Sequence, residues 1–172
     1  MILQLIAWEL IRFAAPIPAQ WKPSDPDWDK AANEIRRLPP STFSDLPAAI
    51  VEDLNRRRCA IPQDDGSPQP HNVVKGNFTG TGQIDWAVLC SRGGESSILV
   101  LKGQTIEGVF ELANGPDMNW LQTVGEGRIG CSRMIPAANG EAILLYHREF
   151  GGLKPPPIDH QGIEDTSSKR PR

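Results

Sequence analysis

From residue 71 onward, short apolar segments alternate with glycine-rich turns, and this pattern constrains the fold more than any other feature of the sequence. The turns at 79–82, 92–95, 102–104 and 139–140 are too short for helical crossovers, so they favour hairpins between neighbouring strands. The apolar segments with the length of a strand are 72–78, 84–90, 97–102, 106–112, 120–124, 129–135 and 142–148. The sequence therefore predicts an antiparallel meander of about six to seven strands.

Two helices are predicted ahead of this meander. The first begins at Asp25, as the capping residue, with Pro26 at the first helical position. The second begins at Ser44 or Asp45 and is followed by a loop at 61–70. The apolar stripes are Trp28, Ala31, Ala32, Ile35 and Leu38 in the first helix, and Leu46, Ile50 and Leu54 in the second. Helices followed by a run of strands predict a single α+β domain over 25–165, with the stripes packed on the sheet.

The two ends of the chain are assigned separately. Residues 1–19 are rich in Leu, Ile and Ala and precede a polar segment, which fits either a secretory signal peptide or an amphipathic N-terminal helix. Residues 166–172 are polar and basic, and we expect them to form a disordered tail.

The three cysteines allow at most one intramolecular disulfide bond. Cys59 follows the second predicted helix and Cys90 ends a predicted strand, so a bond between them would fasten helix to sheet. The alternative is three reduced, buried thiols, Cys131 included, in a cytoplasmic protein. A bridged chain belongs in the periplasm or outside the cell.

Charge and motifs narrow the class of function. The net charge of −3 provides no basic field for nucleic acid. No apolar run is long enough for a transmembrane segment in the mature chain. The sequence has no nucleophile elbow, P-loop, zinc-protease motif or dinucleotide fingerprint. We therefore assign no catalytic residue and expect no cofactor.

The segment 76–88, GNFTGTGQIDWAV, resembles the strand-loop-strand unit of FG-GAP or VCBS repeats. That resemblance implies a loop whose aspartates bind calcium. The matching positions in this chain are Asn77, Thr79, Thr81 and Asp85. Because only Asp85 keeps a carboxylate, the loop is expected to keep the turn and to have lost the ion. A second copy of the unit is missing from the sequence, so a full propeller is rejected.

A broader resemblance is to a group of uncharacterised, exported bacterial proteins. It rests on Phe43-x-x-Leu46-Pro47, on Arg58-Cys59-x-Ile61-Pro62-Gln63, on the segment 85–91, and on Ile158-Asp159-His160-x-Gly162-Ile163-Glu164-Asp165. The resemblance implies export and supports the bond between Cys59 and Cys90. It implies no activity.

The segment 158–165 is the one candidate for a metal or acid–base cluster, because it gathers carboxylates and an imidazole in a few residues. The candidate ligands are Asp159, His160, Glu164 and Asp165. The alternative is a solvated turn in which Asp159 caps backbone N–H groups. We therefore expect a non-catalytic, exported domain that binds an unknown macromolecule or envelope component through its sheet face or open edge. A metal-assisted hydrolase centred on these four residues is the alternative.

Overall fold

The structure, a computed structural model, describes residues 27–125, 127–152 and 158–167. The signal peptide or helix predicted at 1–19 lies outside the described residues. The α-helices are α1 Trp28–Glu34, α2 Ala48–Arg56 and α3 Gly140–Phe150. The strands are β1 Arg37–Leu38, β2 Ile61–Pro62, β3 Val73–Gly76, β4 Asp85–Arg92, β5 Glu95–Leu101, β6 Phe110–Pro116, β7 Leu121–Thr123, β8 Ile129–Cys131, β9 Arg133–Met134, β10 Ala137–Ala138, β11 Gly162–Ile163 and β12 Thr166–Ser167.

The strands form one antiparallel sheet of four and several short antiparallel pairs. The larger sheet has the order β3-β4-β5-β6, a meander of consecutive neighbours. The short pairs are β1 with β2, β7 with β8, β9 with β12, and β10 with β11. The α+β class with antiparallel strands is thus confirmed, whereas the single sheet of six to seven strands is wrong. Beyond β6 the segments are too short and too often interrupted by prolines and glycines to extend the sheet.

The two central strands of the sheet, β4 and β5, are buried on both faces. In β4, alternate side chains point to opposite faces, so Trp86 and Val88 pack on the α2 side and Ala87 and Leu89 pack on the other. The far face is closed by Phe78 and by Ile135, which lies after β9. This double burial explains why β4 reads as a nearly continuous apolar run.

Helix α2 covers the first face as predicted. Ile50 and Leu54 of the helix, together with Leu46 just before it, are buried and pack with side chains of β4 and β5. The expected side-chain cap is absent, because the helix starts at Ala48 behind Pro47, whose fixed φ suits a helix start without a cap.

Helix α1 is shorter than the sequence predicts and does not cover the sheet. It is capped by Asp27, whose Oδ1 accepts a hydrogen bond of 2.9 Å from the backbone N of Lys30. The helix ends at Glu34, since Ile35 has the non-helical ψ of 125°. Beyond it, Arg37 Nη2 donates a 2.7 Å bond to the buried Asp117. No α1 side chain is buried, so the prediction of two N-terminal helices packed on the sheet holds for α2 alone.

The predicted strand at 142–148 is wrong, since this segment belongs to α3. The Asn-Gly pair at 139–140 is typical of a hairpin turn, but here Asn139 is a helix cap: its Oδ1 accepts a 2.8 Å bond from the backbone N of Ala142. At the other end Gly151 has φ of 72°, a conformation that glycine favours after a helix. The helix is therefore fixed by its two ends.

The loop predicted at 61–70 begins as β2, which pairs with β1. The chain after it is held by Gln63, which is buried. Its amide Nε2 donates 3.0 Å bonds to the carbonyls of Ile61 and His71, and its Oε1 accepts a 2.9 Å bond from the backbone N of His71. One side chain thus orders a segment whose composition does not indicate ordered structure.

The structure places Cys59 and Cys90 at disulfide distance, with Cα atoms 5.1 Å apart, which is consistent with the predicted bond. It joins the end of α2 to the central strand β4, inside the helix-side core. Cys131 is left as a buried free thiol. Burial raises the pKa of this thiol, so the neutral form is favoured.

Residues 158–167, called the strap below, run across the far side of the sheet. Its strands β11 and β12 pair with β10 and β9. Thr166 and Ser167, predicted to start a disordered tail, form β12 instead. Pairing with β9 and the neighbouring ion pair of Asp165 with Arg133 supply the order that their composition does not indicate.

Candidate functional site

Of the four positions that resemble a calcium loop, three lie in the connection between β3 and β4, and the fourth, Asp85, begins β4. The Asp85 carboxylate, buried in the structure, accepts four hydrogen bonds there. Oδ2 accepts from the backbone N of Thr79 at 2.7 Å and from its Oγ1 at 2.9 Å. Oδ1 accepts from Gln83 Nε2 and from the backbone N of Gly103, both at 2.8 Å. Asp85 thus fastens the turn to the loop after β5.

These bonds set the charge state of Asp85. Burial raises the pKa of the carboxyl, but the donors from Gly103, Thr79 and Gln83 together more than offset that effect and hold the pKa below its ordinary value of 3.8. The carboxylate is therefore ionised wherever the protein is folded near neutral pH.

Replacing Asp85 by Asn is expected to destabilise the protein at pH 7 by about 2 kcal/mol, because an amide meets several donors with one oxygen. Since the folded pKa is depressed, the stability from ionised Asp85 is present above the unfolded pKa and is lost as pH falls through the folded one. Urea unfolding between pH 7 and pH 2 should therefore show the wild type converging on the Asp85→Asn variant at the acid end. A constant difference across this range would contradict the assignment.

The other two loop positions hold the strap. The backbone N of Asn77 donates a 3.2 Å bond to Gln161 Oε1, and its carbonyl accepts a 3.1 Å bond from the backbone N of Gln161. Thr81 Oγ1 donates a 2.9 Å bond to the carbonyl of Asp159. The loop therefore serves as an anchor for the strap.

The four candidate metal ligands do not converge on one point. Asp159 Oδ1 lies 2.5 Å from His160 Nδ1 at the surface, and this hydrogen bond lowers the pKa of Asp159. Asp165 turns the other way and accepts two 2.9 Å bonds from the buried Arg133. Glu164 is exposed on the strap. Within the described ranges, no three His, Cys, Asp or Glu side chains are grouped to hold a metal ion.

A cleft of about 620 Å³, called the α3 cleft, opens between α3 and the strap. Its apolar wall includes Ile143, Leu145 and Tyr146 from the helix and Ile163 from β11. Its polar lining is acidic. The carboxylates that line it are those of Glu149, Glu164 and Asp165, of which Asp165 is paired with Arg133.

A second hollow of about 480 Å³, called the edge hollow, lies on the other side of β11 and shares Gly162 and Ile163 with the cleft. Its outer wall is β6, the free edge of the sheet, where Phe110 is 52% exposed and Leu112 is 50% exposed. The edge bends directly afterwards, because Ala113 has φ of 51°. The flat part of the edge is therefore too short for a long added strand.

The sequence did not predict the exposed apolar residues of this surface. Leu144, Leu145, Tyr146 and Phe150 are all exposed on α3, whose side chains, all described, include none that is buried. Helical spacing from the Asn139 cap would have placed apolar side chains on every side of this helix. A helix that is apolar all round is normally buried, so this spacing is a signal of an uncovered surface.

No known family model matches the chain, and no curated protein or solved structure is similar to it. In the described part of the chain, no helix has the length and apolar character needed to cross a membrane.

Proposed function

We propose that this chain is a non-catalytic binding domain, exported to the periplasm or the cell surface, that receives a segment of another macromolecule or envelope component in the α3 cleft. The observation that carries the proposal is the set of large apolar side chains that α3 leaves exposed beside a cleft of about 620 Å³. Exposed apolar surface of this kind is typical of interaction sites.

The side chains that line the α3 cleft indicate which kind of ligand it binds. Leu145, Tyr146 and Ile163 offer an apolar wall. Glu149 and Glu164 have no ion-pair partner within the described residues. No Lys or Arg lines the cleft within those ranges. A polypeptide segment that places apolar side chains beside basic ones complements both features.

A binding role also fits the lining better than nucleophilic catalysis does. Among the described residues, no histidine, cysteine or serine lines the cleft, so it contains no Ser–His or Cys–His pair. Export is supported by the Cys59–Cys90 bond, since disulfide bonds persist in oxidising compartments.

Three short synthetic peptides test this function by NMR titration of the full chain. We expect the peptide Leu-Lys-Leu-Lys-Leu to shift the resonances of Leu145, Tyr146 and Ile163. The matched peptides Leu-Glu-Leu-Glu-Leu and Ser-Lys-Ser-Lys-Ser lack one of the two complementary features and should bind at least about tenfold more weakly.

Matched variants locate the binding. Replacing Glu149 and Glu164 together by Gln should weaken the basic peptide roughly three- to tenfold, because two charge contacts are lost. Replacing the exposed Glu52 of α2 by Gln should leave binding unchanged. Equal binding of all three peptides, or shifts located away from the cleft, would count against the proposed function.

A further inference from the structure

The outer face of α3 is a surface separate from most of the cleft. Glu141, Leu144, Leu145 and Arg148 share one helix face, because they follow the spacing i, i+3, i+4 and i+7. All four are exposed, with Leu144 at 49% and Leu145 at 48%. Ile143 marks the opposite side, since its Cδ1 lies 2.9 Å from where a Cβ on Gly162 would be. Two leucines are thus exposed on this face, of which Leu145 also borders the α3 cleft.

The charges on this face are arranged symmetrically. Glu141 lies three residues before Leu144, and Arg148 lies three residues after Leu145. A two-fold axis through the midpoint between the leucines therefore brings each Glu141 opposite the Arg148 of a second, antiparallel helix. The same axis places Leu144 against the other Leu145. Such self-complementarity is the property of an isologous interface.

Neither charge is paired with another side chain among the residues that the structure describes. In the part of the chain that the structure describes, Glu141 and Arg148 have no hydrogen-bond or ion-pair partner from another side chain. Each also lies at the end of the helix whose dipole favours it, so the single helix alone explains their placement. The two explanations, stabilisation of the single helix and pairing in a dimer, can be distinguished by experiment, because they predict opposite results when the two charges are exchanged.

We propose that a second copy of this chain covers the outer face, through an antiparallel pairing of α3 with α3. The inference goes beyond the proposed function, because Leu145 is the one residue of this face that also lines the α3 cleft among the described residues. A helix of 11 residues is about 16 Å long, so the interface is small and the dimer weak and reversible.

Sedimentation velocity of the full chain tests the association. We expect the average mass to rise from that of a monomer towards that of a dimer between about 5 and about 500 µM protein. Leu144→Asp should weaken the dimer at least roughly a hundredfold, because it buries two unpaired carboxylates against leucines. The matched control is Leu112→Asp on β6, equally exposed at 50%, which should leave the dimer unchanged.

Charge exchange identifies the pairing. Glu141→Arg and Arg148→Glu should each weaken the dimer about tenfold, because two attractions become two repulsions. The double variant Glu141→Arg/Arg148→Glu should return to within about threefold of the wild type. If the substitutions acted only on the stability of α3, the double variant would be affected more than either single variant, because it places both charges against the helix dipole.

Several outcomes would overturn the proposal. A chain that stays monomeric throughout this concentration range does not form the dimer, and its outer face would then bind a different partner, such as another protein or a lipid surface. A dimer that Leu144→Asp leaves intact uses another surface. A double variant as weak as the single ones rules out the antiparallel pairing. Helix content, measured by circular dichroism, should be the same in the wild type and in every variant compared.

Discussion

Replacing Arg133 by Met is expected to lower the free energy of unfolding by about 3 kcal/mol. Arg133 is 1% exposed and connects three parts of the fold. It pairs with Asp165 of the strap through two 2.9 Å bonds. It also donates to Ser96 of β5 and to the carbonyl of Ala113 of β6, and its guanidinium lies 4.2 Å from the Trp120 ring centroid. Methionine fills the space but leaves these acceptors without a donor.

Urea unfolding measures the loss, and hydrogen exchange locates it in β9 and β12. Asp165→Ala should cost a similar amount, because it leaves a buried guanidinium without its counter-charge. The double variant should lose less than the sum of the two single losses, since neither charge is then left alone. Arg128→Met is the matched control: its pair with Asp65 is exposed at 3.4 Å, so it should cost no more than about 0.5 kcal/mol.

A loss below about 1 kcal/mol for Arg133→Met would contradict this account. It would mean that the ion pair contributes little to stability. The strap would then be held by its contacts with the β3–β4 loop and by Ile163, which packs against the buried side chains on the sheet face opposite α2.

The sequence was sufficient where local pattern and tertiary packing agree. The stripe of Leu46, Ile50 and Leu54 is buried as its spacing predicts, and the apolar segments between glycine-rich turns place β4 and β5 correctly. The bond between Cys59 and Cys90 could be predicted for the same reason, since both flanking elements were identified. For the helix and the strands the information lies within a few residues, whereas the two cysteines are 31 positions apart and were paired through the elements that flank them.

The sequence was insufficient where one signal has two meanings. An Asn-Gly pair favours a hairpin turn, yet Asn is also a preferred helix cap, and at 139–140 the second meaning is correct. The choice depends on the next residues along the chain, since 141–149 are mostly good helix formers and Ile143 is the one β-branched residue among them. Much of the candidate site was missed through this one ambiguity.

The rest of the site depends on contacts between residues distant in the chain. Arg133 and Asp165 are 32 positions apart, and neither has a local feature that indicates the other. Asp165 was grouped with Asp159 because they are close in sequence, but the buried guanidinium draws it to the other side of the strap. Proximity along a loop was therefore a poor guide to which carboxylates share a site.

Removing the disulfide bond is the second large effect. The variant Cys59→Ala/Cys90→Ala is expected to lose about 3 to 4 kcal/mol, because the bond closes a loop with a sequence separation of 31 and so restricts the unfolded chain. The loss should be measured by urea unfolding without reductant. Cys131→Ala, which leaves the bond intact, should cost only about 1 kcal/mol.

Reductant provides the internal control for this prediction. It should lower the stability of the wild type to the level of the double variant, and it should leave the double variant unchanged. Thiol titration of the denatured wild type should then give one free thiol, that of Cys131, before reduction and three after it. Three thiols in protein never exposed to reductant would show that the chain is made in reduced form. The proposal of export would then lose its main support, whereas the α3 cleft and the pairing of α3 would still be open to their own tests.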